Sequence, residues 1–297
     1  MKVVLLNPPG EKLYVRSYYC GSTSKSSYLF QPLDLLMLSG RFTGEFEIMV
    51  IDAIADGLCT NEVLKEISDF KAEADVCVVS IVSWDSDLKF LKQLKNDLPS
   101  MQVIANGDVF FDQAETILAE NSCIDAVIFD FASEDVIHYL KGAGDKANNM
   151  LYKLDGRIVG RRNFPPTGGA FKLPTPRHEL FLNGNYRFPF AKHYPFTTVL
   201  TNFGCPFKCR FCIANSLGFR FREAEEVFEE LLFIKKLGLK EVFFEDMTFG
   251  IPRSNAMKLL NLMIDGKLNF SWTCFSRADV VDKELLLLMK NAGCHTI

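Results

Sequence analysis

The chain has 297 residues, a formal net charge of −4 and a hydrophobic content of 48%. That length accommodates two domains of the usual ~100–200 residues, and no apolar run approaches the ~18 residues of a membrane span. The sequence has no long block of Lys and Arg, so nothing favours a nucleic-acid backbone as principal partner. The opening apolar stretch, about four residues before Pro8-Pro9-Gly10, falls short of the ~7–15 of an export signal. It predicts a first buried strand and a cytoplasmic protein.

In chain order, Lys2–Leu6, Ile48–Asp52, Val76–Ser80, Val103–Ala105 and Ala126–Phe129 are short, mostly apolar runs of the kind expected for strands buried on both faces. Helical spacing alternates with them over Thr60–Phe70, Ser86–Leu98, Gln113–Glu120 and Glu134–Leu140. Leu88, Leu91, Leu94 and Leu98, for example, fall on one helix face. Strands alternating with helices predict an α/β domain with an open, doubly wound parallel sheet over residues 1–141. A ligand of such a sheet lies at the carboxyl ends of its strands. Ser80, Ser83, Asn106 and Gly107 sit there.

From Gly142 the pattern breaks. Lys153–Arg161 predicts a hairpin around Asp155-Gly156, with the small basic cluster Arg157 to Arg162 at a solvated turn. A Pro- and Gly-rich stretch follows, so residues 142–194 are expected to connect two domains. Over residues 195–297 the predicted order is strand Phe196–Asn202, helix Glu223–Leu237, strand Glu241–Glu245, helix Ser254–Ile264, strand Phe270–Phe275, helix Lys283–Asn291 and a strand beginning at His295. Three βα units and part of a fourth predict a partial βα barrel.

Nine cysteines are present, and three of them fall within eight residues. Cys205-x3-Cys209-x2-Cys212 follows the first strand of the second domain, at the end where barrel folds assemble their chemistry. Zinc sites normally draw on a second cysteine pair or on nearby histidines, and neither is close in sequence. Three thiolates on a four-iron cluster leave one iron without a protein ligand, an open reaction site; structural zinc is the competing reading. Gly204 allows the backbone a close approach, while Phe207 and Phe211 are expected to shield the cluster.

The Cys205, Cys209, Cys212 spacing, with Phe211 before the last cysteine, resembles the signature of the radical S-adenosylmethionine (SAM) superfamily. The resemblance implies a [4Fe–4S] cluster and SAM as cofactors, reductive cleavage of SAM to a 5′-deoxyadenosyl radical, and an external electron donor such as a flavodoxin or ferredoxin. Phe243-Phe244-Glu245-Asp246-Met247-Thr248-Phe249 lies where the family binds the SAM amino group. An acidic pair stands there in place of Gly-Gly-Glu, and Asp246 is the first choice for the contact, Glu245 the second. Arg277 lies near the place of an arginine that binds the SAM carboxylate. Asn291-Ala292-Gly293-Cys294-His295 resembles the motif before the family's fourth strand, and the later adenine contacts would lie beyond Ile297.

An α/β domain ahead of such a barrel resembles the class with an N-terminal cobalamin-binding domain. Asp52 and Gly57 stand in the place of the Asp-x-His-x-x-Gly motif with Ile54 at the histidine position, so cobalamin would be held without a lower histidine; alternatively Asp52 and Gly57 only build a strand-to-helix turn. The implied reaction is methyl transfer or cyclisation on a small hydrophobic substrate. The competing possibility is a truncated, non-catalytic fragment that binds a ligand or partner.

Overall fold

Short β-branched runs in the first part of the chain form strands with almost no exposed side chain, as two-sided burial requires. The computed structural model describes residues 1–19, 21–26, 28–163 and 168–297, with all side chains there except those of residues 215 and 216. Cys20, Ser27 of the Ser-rich loop, and Phe164 to Thr167 of the Pro-rich stretch lie outside the described residues. The chain divides into two compact units, residues 1–163 and 164–297.

The first unit runs β1 (Lys2–Asn7), β2 (Tyr14–Val15), β3 (Ser22–Thr23), α1 (Leu33–Ser39), β4 (Glu47–Asp52), α2 (Ala53–Asp56), α3 (Thr60–Phe70), β5 (Ala74–Val79), α4 (Trp84–Asp97), β6 (Gln102–Gly107), α5 (Phe110–Glu120), β7 (Ala126–Ile128), α6 (Asp135–Leu140), β8 (Asn149–Leu154) and β9 (Arg157–Arg162). Its seven-stranded sheet has the order β4-β1-β5-β6-β7-β8-β9. The five strands from β4 to β7 are parallel. In chain order this is 2-1-3-4-5, a doubly wound sheet whose direction switches between β1 and β5.

The expected hairpin is present, with Asp155 at φ 49° and Gly156 at φ 74°, the two positive values that a tight hairpin turn of this kind requires. It does not belong to a connecting stretch. β8 pairs antiparallel with β7, and β9 with β8, so the hairpin extends the first unit's sheet. The reason is Ala126–Ile128, which would otherwise expose a hydrophobic edge.

The second unit runs β10 (Gly169–Ala170), β11 (Phe196–Val199), β12 (Asn202–Gly204), β13 (Phe219–Phe221), α7 (Ala224–Lys236), β14 (Glu241–Phe244), α8 (Arg253–Asp265), β15 (Ser271–Cys274), α9 (Lys283–Asn291) and β16 (Cys294–Thr296). Strands β11, β14, β15 and β16 form a parallel sheet in that order, open rather than closed among the described residues. Val199, Val242, Phe244, Trp272 and Cys274 point to the helix side and pack with Val227, Leu231, Leu260, Met263 and Leu285. Phe243 lies on the other face, 4.4 Å from the ring of Phe188 and 5.3 Å from that of Phe275. The two-residue alternation of a strand separates these faces.

The single expected strand Phe196–Asn202 is in fact two. β12 leaves the main sheet and pairs antiparallel with β13, so the cysteine loop is the tip of a hairpin. Among the described residues, no helix is long and apolar enough to cross a membrane.

Candidate functional site

Two backbone features shape the cysteine loop. Gly204 holds φ at 74°, and a Cβ at this position would sit 2.0 Å from the carbonyl oxygen of Gly218. Only glycine tolerates both that angle and that contact. Cys205 N–H donates to the same Gly218 oxygen at 3.1 Å, closing the neck of the loop. Cys212 N–H donates to Cys209 O at 3.1 Å, a tight turn that brings those two residues around. Cys205, Cys209 and Cys212 are half-buried and free of disulfides.

Two of the thiols have polar side-chain neighbours. Cys205 Sγ lies 3.8 Å from Thr248 Oγ1. Cys209 Sγ accepts from Arg277 Nη1 at 3.1 Å. Among the described residues, no three His, Cys, Asp or Glu side chains already converge on one ion-sized point. The fit to an iron–sulfur cluster therefore rests on the donors: three soft thiols in eight residues, at the carboxyl end of a parallel sheet, beside a guanidinium. Phe207 lies under that guanidinium, with the Arg277 Cζ 4.0 Å from its ring centre. Phe211, expected to shield the cluster, is 94% exposed instead.

Asp246 and Glu245 separate clearly. Asp246 is fully buried and accepts three hydrogen bonds: from Thr201 N–H and Asn202 N–H on Oδ1, at 2.7 and 2.9 Å, and from the Thr201 hydroxyl on Oδ2, at 2.7 Å. Burial pushes its pKa up to about 6, although these donors and the Arg222 charge oppose the shift. The carboxyl group pins the start of the cysteine hairpin to the end of β14. Glu245 donates its backbone N–H to Val199 O at 3.0 Å, which continues the β11–β14 ladder. Alternation places its side chain on the Phe243 face, away from the helices.

A buried ionic chain lies beneath, one that sequence reasoning did not find. His178 contacts Thr197 Oγ1 through Nδ1 at 2.7 Å and Glu230 Oε1 through Nε2 at 2.8 Å. Glu230 Oε2 pairs with Arg222 Nη1 at 2.6 Å, and Arg222 also donates to Leu200 O at 2.9 Å. Burial alone would raise the Glu230 pKa, but the Arg222 charge and the His178 contact outweigh it and hold the carboxyl below its ordinary value. The spacing Arg222-x7-Glu230 on and before one helix is the single hint the sequence contains.

In the first unit, a buried polar network lies at the carboxyl ends of the strands. Arg16 pairs with Asp87 at 2.6 Å and donates to Asn7 Oδ1 at 2.7 Å, Pro8 O at 2.9 Å and Ser83 Oγ at 3.0 Å. Asn106 Nδ2 and Tyr18 N–H both donate to Asp34 Oδ2, at 2.6 and 2.9 Å. Gly21 N–H and Ile81 N–H bind the two oxygens of Asp108 at 2.7 and 2.8 Å. Ser80, Ser83 and Asn106, singled out at the strand ends, are thus buried and engaged in this internal lattice. Asp52 caps α2 by accepting from Ala55 N–H at 3.0 Å, and Gly57 ends that helix. Ile54 is buried. Its apolar side chain, at the place of the histidine, cannot ligate cobalt.

The comparisons with known proteins agree with the cysteine loop. Residues 199–297, within the second unit, match the family model of the Radical SAM superfamily. An uncharacterized methyltransferase of Pyrococcus horikoshii is 29% identical over 311 residues, covering all of this chain and 64% of that protein. The ribosomal protein uS12 methylthiotransferase RimO of a Hydrogenobaculum species is 30% identical over 179 residues, 54% of this chain and 41% of that protein. Among solved structures, the radical SAM methyltransferase TsrM of Kitasatospora setae, with cobalamin and a [4Fe–4S] cluster bound, superposes with a TM-score of 0.71 at 15% identity. That match covers 99% of this chain and 59% of TsrM, and establishes a shared fold. A second TsrM structure, with tryptophan and a SAM analogue, gives 0.70 at 14% identity. The chain spans less than two thirds of the length of these relatives.

Proposed function

We propose that the protein is a radical SAM enzyme of the methyl-transferring kind, with a [4Fe–4S] cluster on Cys205, Cys209 and Cys212. The observation that carries this is the set of three half-buried thiols, none in a disulfide, at the tip of the β12–β13 hairpin. The family match over the same residues and the two methyl- or methylthio-transferring relatives support it. When bound, the cluster supplies one electron, which breaks the sulfur–C5′ bond of SAM.

The chain's own residues divide the remaining work. Gly204 sets the loop's entry, and Asp246 holds Thr201 and Asn202 in place as a positioning residue. Glu245, buried on the Phe243 face of the sheet, is the acceptor for the SAM ammonium, an interaction a carboxylate suits. Arg277 is the partner for the SAM carboxylate, where a planar guanidinium binds bidentately. The exposed ring of Phe275, packed against Phe243 on that face, favours a small hydrophobic substrate.

The likeness to TsrM supports cobalamin on the first unit, held without a lower histidine because Ile54 stands there; when bound, cobalamin supplies a transferable methyl group. An open-iron cluster needs an external low-potential electron donor, such as a flavodoxin or ferredoxin, and a reducing, cytoplasmic setting.

The test is anaerobic reconstitution with iron and sulfide, followed by EPR of the reduced protein with and without SAM. A [4Fe–4S] signal that changes on adding SAM and disappears in Cys209→Ala supports the assignment. A colourless protein that takes zinc in preference to iron overturns it.

A further inference from the structure

Arg277 follows β15, and its guanidinium is fixed on three sides. Asp279 takes Nε–H at 2.9 Å and Nη2–H at 2.7 Å. The Phe207 ring lies under Cζ at 4.0 Å. Nη1 is thereby directed to Cys209 Sγ at 3.1 Å. Phe207 and Cys209 are two residues apart on the same loop, so ring and sulfur form one seat for the cation, reached by a residue 68 positions later in the sequence.

Hydrogen bonds to ligand sulfurs and nearby positive charge are recognised determinants of cluster potential. Uptake of one electron from an external low-potential donor makes a thiolate-bound cluster one charge more negative, with no bond made or broken. A guanidinium on one of its sulfurs therefore stabilises the reduced form more than the oxidised form.

We propose that Arg277 is a positioning and tuning residue for the cysteine site: by donating to Cys209 Sγ it holds that sulfur and raises the reduction potential before SAM arrives. This rests on Cys205, Cys209 and Cys212 being the cluster ligands. The role differs from carboxylate binding, because it acts in the absence of SAM. It also depends on the fork geometry, since a lysine brings the charge without the two bonds that Asp279 uses to aim the third.

The experiment is an EPR-monitored redox titration of the reconstituted full chain, without SAM and then with it, for wild type, Arg277→Gln and Arg277→Lys. Thermal melting of each variant serves as the control for folding. In Arg277→Gln the SAM-free ratio of reduced to oxidised cluster at a fixed applied potential should fall about tenfold, equivalent to ~59 mV for a one-electron couple. Arg277→Lys should fall in between. An unchanged SAM-free potential in Arg277→Gln, with only the response to SAM weakened, overturns the proposal and leaves Arg277 a SAM ligand alone. If Arg277→Gln does not retain a cluster, an unchanged SAM-free potential in Arg277→Lys overturns it instead. A wild-type chain that assembles no cluster refutes the ligand assignment itself, a failure distinguishable from the other two.

Discussion

Arg16 and Asp87 meet at 2.6 Å with both side chains fully buried, although 71 residues separate them in the sequence. The pair lies at the switch point of the first unit's sheet, between the ends of β1 and β5. Breaking a buried ion pair from one side strands the other charge, at a cost of ~3–5 kcal/mol. Arg16→Met should therefore lower the unfolding free energy of the first unit by an amount of that size, measured by denaturant titration. The double variant Arg16→Met, Asp87→Leu should regain much of the loss. Equal destabilisation by both would show that the pair is packing alone.

Asp34 makes stability depend on pH. Burial pushes its carboxyl up to about 7, against the opposing hydrogen bonds from Tyr18 and Asn106. A folded pKa above the unfolded one means that the native state holds the proton more tightly. The contribution is fully present below about pH 4 and is lost as pH rises through about 7. Both hydrogen bonds to the side chain fall on Oδ2, so an amide oxygen can take over that position. Asp34→Asn should flatten the decline between these limits and gain a few (~2–4) kcal/mol over wild type near pH 8. Unfolding curves at pH 5 and pH 8 check it; parallel pH profiles for the two proteins would contradict it.

Gly204→Ala places a methyl group 2.0 Å from Gly218 O at a φ of 74°. The main sheet does not depend on that contact, so the fold should survive while the neck of the loop opens. The expected outcome is an unchanged far-UV circular dichroism spectrum with iron and sulfide incorporation reduced severalfold. Full cluster loading in this variant would show that the hairpin neck does not set the positions of the thiols.

Glu245 and Asp246 should respond differently to loss of charge. Glu245→Gln should leave cluster content intact and weaken the SAM-induced EPR change about tenfold in SAM concentration, in keeping with one lost charge-assisted contact of ~1.5–3 kcal/mol. Asp246→Asn disturbs the bonds to Thr201 and Asn202 and should reduce cluster content itself. The reverse pattern would give the ammonium to Asp246, as the sequence order first led us to expect.

Much of the architecture was legible from periodicity. The β-branched runs became the five parallel strands, and the Leu88 to Leu98 spacing became α4, with Leu91 and Leu94 buried. Asp155-Gly156 announced its own turn. The cysteine triplet was legible because its ligands are local in sequence. The rest depends on partners that local patterns do not encode. β12 and β13 are three residues each and exist only by pairing. Asn106 and Asp52 sit where a ligand would lie, yet Asn106 donates to Asp34 and Asp52 accepts from Asn7, residues brought in from elsewhere in the chain. Phe211 had the composition of a shield, but its direction is set by a turn that carries no spacing signal.

His178 lies inside the stretch that composition marked as a connector, yet it is completely buried and bonded to Thr197 and Glu230. Residues 168–194 of that stretch belong to the second unit, where His178 packs beneath the opening strand β11. Anyone separating the two units for independent production should therefore cut close to residue 164. A fragment started at residue 195 would leave Glu230 and Arg222 sealed in the interior without the imidazole that completes their chain, and its insolubility would say nothing about the whole second unit.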